Sequence, residues 1–201
     1  RCNTKCAYCK HYYSDFGEDM PHDLYEKIRD ALFQDLDKTD LIGYGEPLIA
    51  GIFWEMFNEC VKRDISIGTT TNGLMLLKDE NLRLLVKEDV DICLSMDGAH
   101  KETAEYSRTI PFVTQMKNLE NIKKISEEAG RKKKFSLSIN FVASQKNIKD
   151  LPDMVILAHK YGAYKIVVFH LGGEESLGML KNQGVTERPD LVGTPYMEAL
   201  S

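Results

Sequence analysis

Apolar positions along the chain switch repeatedly between two spacings, three to four residues apart and two apart, which are the periods of a helix face and a strand face. After Pro21, a residue suited to a first helical turn, Leu24, Ile28, Ala31 and Leu32 recur at helical spacing. Asp40 to Tyr44 reads as a short strand running into Gly45-Glu46-Pro47. Phe53, Phe57, Cys60 and Val61 form the stripe of a second helix, and Ile65 to Thr71 a second strand closed by Asn72-Gly73. Asp79 opens a helix carrying Leu82, Leu85 and Val86. Ile92, Leu94 and Met96 then alternate in a strand that ends at Asp97-Gly98. Phe112, Met116, Leu119 and Ile122 mark a long helix from Pro111 to Ala129, stopped by Gly130. Phe135, Leu137, Ile139 and Phe141 alternate next. Leu151, Val155 and Ala158 predict a helix ended by Gly162, and Ile166 to Leu171 a last strand.

Five strands alternating with four helices, behind one leading helix, predict an α/β fold with right-handed crossovers and a parallel sheet. Such a sheet lies open or closes toward a barrel, and either way its functional groups gather at the carboxyl ends of the strands. The loop at the very start precedes the leading helix, so a further strand is expected to enter it from upstream of Arg1. The chain thus reads as a core, residues 1–171, lacking its first strand. Residues 172–201 are rich in Gly, Pro and polar residues and read as a linker or the start of a C-terminal extension.

Composition narrows the class without choosing a function. The chain has 201 residues, 43% hydrophobic and 28% charged, ordinary for a soluble domain with a real core. A net charge of −5 gives no support to a nucleic-acid-binding role. No apolar run approaches the roughly 20 residues that span a bilayer, and no signal peptide is evident, so a cytoplasmic location is expected. The basic run Arg131 to Lys134 reads as a solvated loop. Cys60 and Cys93, in apolar surroundings, read as packed free thiols.

The candidate chemistry sits in the first nine residues. Cys2, Cys6 and Cys9, at x3 and x2 spacing, supply three thiolates with no fourth cysteine nearby. Three thiolates suit an iron–sulfur cubane that keeps one iron open to a ligand. The same cysteines with His11 also fit a closed Cys3His zinc site, and on these residues alone the two readings stand level. A disulfide framework suits small secreted scaffolds and fits poorly. The predicted strand ends separate the readings. Gly45, Glu46 and Pro47 follow the first strand, Thr71, Asn72 and Gly73 the second, Ser95 and Asp97 the third; Asn140 lies in the fourth and His170 near the end of the fifth. A polar rim beside the cysteines is what a cofactor pocket needs and a structural zinc does not.

These residues carry a resemblance. Cys-x3-Cys-x2-Cys with Tyr8 before the third cysteine, followed in order by Gly-Tyr-Gly-Glu-Pro-Leu, Thr-Thr-Asn-Gly and Ser-Met-Asp-Gly, resembles the radical S-adenosylmethionine (SAM) superfamily from Cys2 to about Leu171. The style of these motifs is similar to the branch that carries SPASM or twitch extensions with auxiliary clusters. The resemblance implies a partial (β/α)6 TIM-like barrel and a 4Fe-4S cluster on Cys2, Cys6 and Cys9. It implies that one electron cleaves SAM to methionine and a 5′-deoxyadenosyl radical, which abstracts hydrogen from a substrate.

Carried over by position, Tyr8 would lie against the adenine. Gly45, Glu46 and Pro47 would receive the methionine amino group, although Tyr44 stands where the motif's first glycine is usual. Thr71 and Asn72 belong to the same rim. Ser95 and Asp97 would bind ribose hydroxyls, and Arg108 would sit near the SAM carboxylate or in a surface salt bridge; Asn140 and His170 complete the set. The resemblance further implies a flavodoxin- or ferredoxin-type electron donor and a peptide or small-molecule substrate, most simply a peptide or protein. A glycyl radical enzyme activase, a small-metabolite enzyme and a non-enzymatic zinc module are the alternatives.

Overall fold

The computed structural model describes residues 1–13, 18–130, 135–171 and Gly184. Its helices are α1 (Lys10–Tyr13), α2 (His22–Leu32), α3 (Phe53–Lys62), α4 (Asp79–Val86), α5 (Lys101–Ser107), α6 (Phe112–Glu128) and α7 (Leu151–Lys160). The strands are β1 (Lys38–Asp40), β2 (Ser66–Thr71), β3 (Val90–Ser95), β4 (Ser136–Ala143) and β5 (Lys165–His170). All four strand pairings are parallel and the order follows the sequence, giving a curled half-barrel with helices outside. None of the described helices is long and apolar enough to cross a membrane.

Strand alternation divides the sheet into two chemically distinct faces. Ile67, Val90, Ile92, Leu94, Leu137, Ile139, Phe141 and Ala143 join one apolar cluster with Phe57, Cys60, Leu82, Leu85, Leu119 and Ile122 from the helices. The opposite, inner face holds the register-matched row Thr70, Cys93 and Ser138, with the pair Ser95 and Asn140 one step nearer the carboxyl rim. Cys60 is a packed core thiol, as expected. Cys93 is not: it is half-buried on the inner face, flanked by the Thr70 and Ser138 hydroxyls. The apolar residues around it in sequence point to the other face of the strand.

Several elements depart from the periodicity in detail. The first strand is Lys38–Asp40 rather than Asp40 to Tyr44. Leu41 still donates to Gly68 O, but beyond it the chain turns outward and leaves Ile42 and Tyr44 exposed. In α2 the inward side is set by Tyr25, which meets Phe33 edge-on at 6.3 Å, so Leu24 and Leu32 face solvent. In α7 Met154 is buried where Val155 was expected. Phe112 and Met116 pack only partly, because the innermost positions of α6 are the polar Gln115 and Asn118. Helix α5 has no apolar stripe to announce it. The Arg131–Lys134 run and residues 172–201, apart from Gly184, lie outside the described residues.

Candidate functional site

The cysteine loop is fastened to the carboxyl rim of the sheet by contacts from four directions. Ala7 N donates to Ser107 O at 2.8 Å and Lys5 N to Thr109 Oγ1 at 3.0 Å, tying the loop to the end of α5 and the segment after it. Glu46 N donates to Arg1 O at 2.9 Å, beyond β1, and Asn72 Nδ2 to Asn3 Oδ1 at 2.7 Å, at the end of β2. Tyr8 Oη donates to Asp97 Oδ2 at 2.8 Å, after β3. Ala7 packs with Leu171, beside Tyr8 and Val142. Cys2, Cys6 and Cys9 are all free thiols, and the Thr4 hydroxyl lies 3.2 Å from the Cys2 sulfur and 3.7 Å from that of Cys6. Burial raises the Cys6 thiol pKa, and the Arg108 charge pulls against it. Among the described residues no three His, Cys, Asp or Glu side chains converge on a point suited to a single metal ion, with or without His11.

Gly45 is where the loop and the β1 end touch. A Cβ there would lie 1.9 Å from Arg1 O, so no larger residue fits without moving the backbone that leads into Cys2. Tyr44, the departure from the usual motif, is 72% exposed and does not enter this contact. Glu46 is 2% exposed. Its Oε1 accepts from Leu48 N at 3.2 Å and Thr71 Oγ1 at 2.7 Å, and its Oε2 from Asn72 N at 2.7 Å. Burial pushes its pKa up, and those three donors oppose the shift. The carboxylate therefore ties the β1 loop to the end of β2, with one acceptor position left on Oε2 for a cation. Pro47 opens the 3₁₀ turn Pro47–Ile49 that Glu46 caps. The Asn72 amide is used at both ends, its Oδ1 accepting from Leu74 N at 3.0 Å.

Asp97 is held by this chain's own groups. Its side chain is fully buried and accepts from Tyr8 Oη, Ser107 Oγ (3.0 Å), Val142 N (2.9 Å) and Arg108 Nη2 (3.1 Å). Arg108 Nε lies a further 2.7 Å from Oδ2, an ion-pair distance off the hydrogen-bond direction. The Asp97 carboxylate oxygens are thus engaged by the chain's own donors. Arg108 is likewise no surface residue: it is 7% exposed and its guanidinium sits 5.5 Å from the Tyr8 ring centroid. Burial alone would lower the Arg108 pKa; the charge of the neighbouring Asp97 carboxylate outweighs it and holds the cation. Burial also raises the Tyr8 phenol well above its usual range. Tyr8 is thus braced between Arg108 and Asp97.

On the inner face, one buried polar group lacks a partner among the described residues where a ligand would supply it. Ser95 is buried at 7% exposure on this face, a hydroxyl at the end of β3. Asn140, its register partner, has a buried Oδ1 that is unpaired. Buried unpaired polar atoms are uncommon enough to mark a binding surface. His170 does not join them. It pairs in register with Ala143, on the helix-facing side, whereas Asn140 pairs with Val167. A one-residue alternation puts His170 on the wrong face, and it is exposed.

Two positioning residues escaped sequence reasoning. Gln115 Nε2 donates to Ser95 O at 3.3 Å and Asn118 Nδ2 to Gly73 O at 2.9 Å, so α6 holds the ends of β3 and β2 in place. Gly73 has φ +86°, and a Cβ there would meet Asn118 Nδ2 at 2.4 Å. The only sequence signal was polar residues on the inward stripe of an amphipathic helix.

Comparison with known proteins agrees with this arrangement. The family model described as the radical SAM superfamily matches residues 1–132. A tungsten-containing aldehyde ferredoxin oxidoreductase cofactor-modifying protein of Pyrococcus furiosus is 34% identical over 178 residues, 85% of this chain and 49% of that protein. The mycofactocin maturase MftC of Mycobacterium tuberculosis is 28% identical over 167 residues, 81% of this chain and 40% of its own length. The chain therefore spans half or less of these curated relatives. Among solved structures, Streptococcus suis SuiB bound to precursor peptide SuiA superposes with a TM-score of 0.66 at 19% identity, over 83% of this chain and 36% of SuiB. With a family model covering most of the chain and a half-barrel whose carboxyl rim carries the three-cysteine loop, the chain belongs to the radical SAM superfamily.

Proposed function

We propose that the protein is a radical SAM enzyme acting on a peptide or protein. The observation that carries this reading is the three-thiol loop fastened to the carboxyl rim of a sheet whose inner face holds the buried, unpaired Asn140 Oδ1. The residues present fit the cofactors. Cys2, Cys6 and Cys9 offer three thiols without a competing fourth, since Cys60 lies in the core and Cys93 on the inner face. Ser95 and Asn140 offer a donor and acceptors for a polyhydroxylated ligand, and Glu46 keeps one acceptor position for an ammonium group. When bound, cluster and SAM supply one-electron reductive cleavage and a 5′-deoxyadenosyl radical that takes hydrogen from the substrate.

The chain's own residues organise that chemistry. Glu46, Thr71 and Asn72 fix the β1 and β2 ends relative to each other and, through Asn3, to the cysteine loop. Asp97 holds Tyr8 and Arg108, and Arg108 places a buried cation near Cys6. The inner row Thr70, Cys93 and Ser138 lies below Ser95, on the face a substrate would meet. A peptide substrate is supported by SuiB, whose structure holds a precursor peptide on the same fold. A flavodoxin- or ferredoxin-type donor supplies the electron in the cytoplasm, and residues 1–171 form the core.

The test is anaerobic incubation of the full-length, cluster-loaded protein with dithionite and SAM, with and without a pool of synthetic precursor peptides. Formation of 5′-deoxyadenosine is expected, together with a peptide mass change. Its absence under reducing conditions overturns the enzymatic reading; formation without any peptide change overturns the substrate class.

A further inference from the structure

We infer that the Thr4 hydroxyl donates to the Cys2 thiolate, with the Cys6 sulfur as its second neighbour, and thereby sets the reduction potential of the cluster. The inference rests on the cluster assignment above and adds a residue to it. Thr4 Oγ1 is 3.2 Å from Cys2 Sγ and 3.7 Å from Cys6 Sγ, both within reach of a hydrogen bond to sulfur. Only one of these groups is a strong donor once the thiols are thiolates, and that is the hydroxyl.

The rest of the loop makes this donor stand out. Backbone N–H groups are the usual partners of cluster sulfurs, yet here three of them are committed elsewhere: Lys5 N to Thr109 Oγ1, Ala7 N to Ser107 O, and Cys9 N to Cys6 O. Arg108 is the nearest buried cation, but its charge is balanced by Asp97, with which it shares two close contacts. Thr4 is thus a side-chain donor beside ligand sulfur in a loop with three of its amides engaged elsewhere. A hydrogen bond to sulfur favours the more negative, reduced cluster and so raises its potential. Thr4 is a positioning residue: it acts on the electron-transfer step through the ligands.

The decisive experiment is a potentiometric titration followed by EPR on the full-length, cluster-loaded protein and its Thr4→Val, Thr4→Ala and Thr4→Ser variants. Thr4→Val and Thr4→Ala should shift the midpoint downward by about 59 mV, a tenfold change in the ratio of reduced to oxidised cluster for a one-electron couple. Thr4→Ser, which keeps the hydroxyl, should titrate with the wild type. An unchanged midpoint in loaded Thr4→Val overturns the inference, as does a Thr4→Ser shift as large as that of Thr4→Val. Loss of the cluster in all three variants, Ser included, also overturns it, because side-chain shape would then matter rather than the hydroxyl. A wild-type protein that takes up no cluster would overturn the functional reading as well, which separates the two failures.

Discussion

Asp97→Asn isolates the buried network that joins the cysteine loop to the sheet. The carboxylate takes hydrogen bonds from Tyr8, Ser107, Val142 N and Arg108 Nη2 while fully buried, with Arg108 Nε a further 2.7 Å away. Asparagine keeps the shape but removes the charge and turns one acceptor into a donor facing other donors. Removing one partner of a buried ion pair costs about 3–5 kcal/mol, because the other charge is left uncompensated. At about 2 kcal/mol per molar urea, the unfolding midpoint should fall by about 2 M. Arg108→Met in the same background should recover part of the loss, since the stranded cation is gone, so the double variant should be less destabilised than the two single changes predict together. Urea unfolding followed by circular dichroism reads all four proteins of the cycle. A loss under about 1 kcal/mol for Asp97→Asn, or strictly additive variants, would refute the reasoning.

Gly45→Ala forces a Cβ against Arg1 O, whereas a Cβ at Gly43 meets nothing within 4 Å. The first substitution should cost about 1–3 kcal/mol by overpacking and lose most of the iron, and Gly43→Ala should keep both; equal iron in the two would show that the contact does not position the cysteines. Glu46→Gln sets an amide N–H against the Asn72 or Leu48 donors and should cost about 1–3 kcal/mol in thermal or urea unfolding. Loss of its charge should weaken SAM binding by about tenfold to a hundredfold in equilibrium dialysis of the cluster-loaded protein. Unchanged affinity with lowered stability would leave Glu46 a purely structural tie.

The parts of the fold legible in sequence were those where burial and periodicity coincide. Strands β2 to β4 and the apolar face of α3 were legible because each packs against the core directly, while the largely exposed β5 was legible from its unbroken apolar run. Helix α2 was misoriented since Tyr25, a residue with a polar end, takes the buried position that Leu24 and Leu32 seemed to claim. The first strand was displaced because Leu41 and Ile42 are apolar yet continue into a loop. Within the site, residue types at strand ends pointed to the rim but could not say which partners they hold. Sequence could not show that five donor atoms of the chain itself surround Asp97, or that register sets His170 on the opposite face from Asn140. Gln115, Asn118 and Thr4 carried no motif. Their roles depend on which backbone carbonyl or sulfur lies beside them, and that is a property of the tertiary fold.

The central claim is that Cys2, Cys6 and Cys9 alone ligate one 4Fe-4S cluster in this core. Anaerobic iron and sulfide analysis of the reconstituted full-length protein tests it in Cys6→Ala, Cys60→Ala and Cys93→Ala. Cys6→Ala should lose about four irons per chain relative to the wild type, while Cys60→Ala and Cys93→Ala should lose none. Full iron content in Cys6→Ala, or a matching loss in Cys60→Ala or Cys93→Ala, would contradict the account.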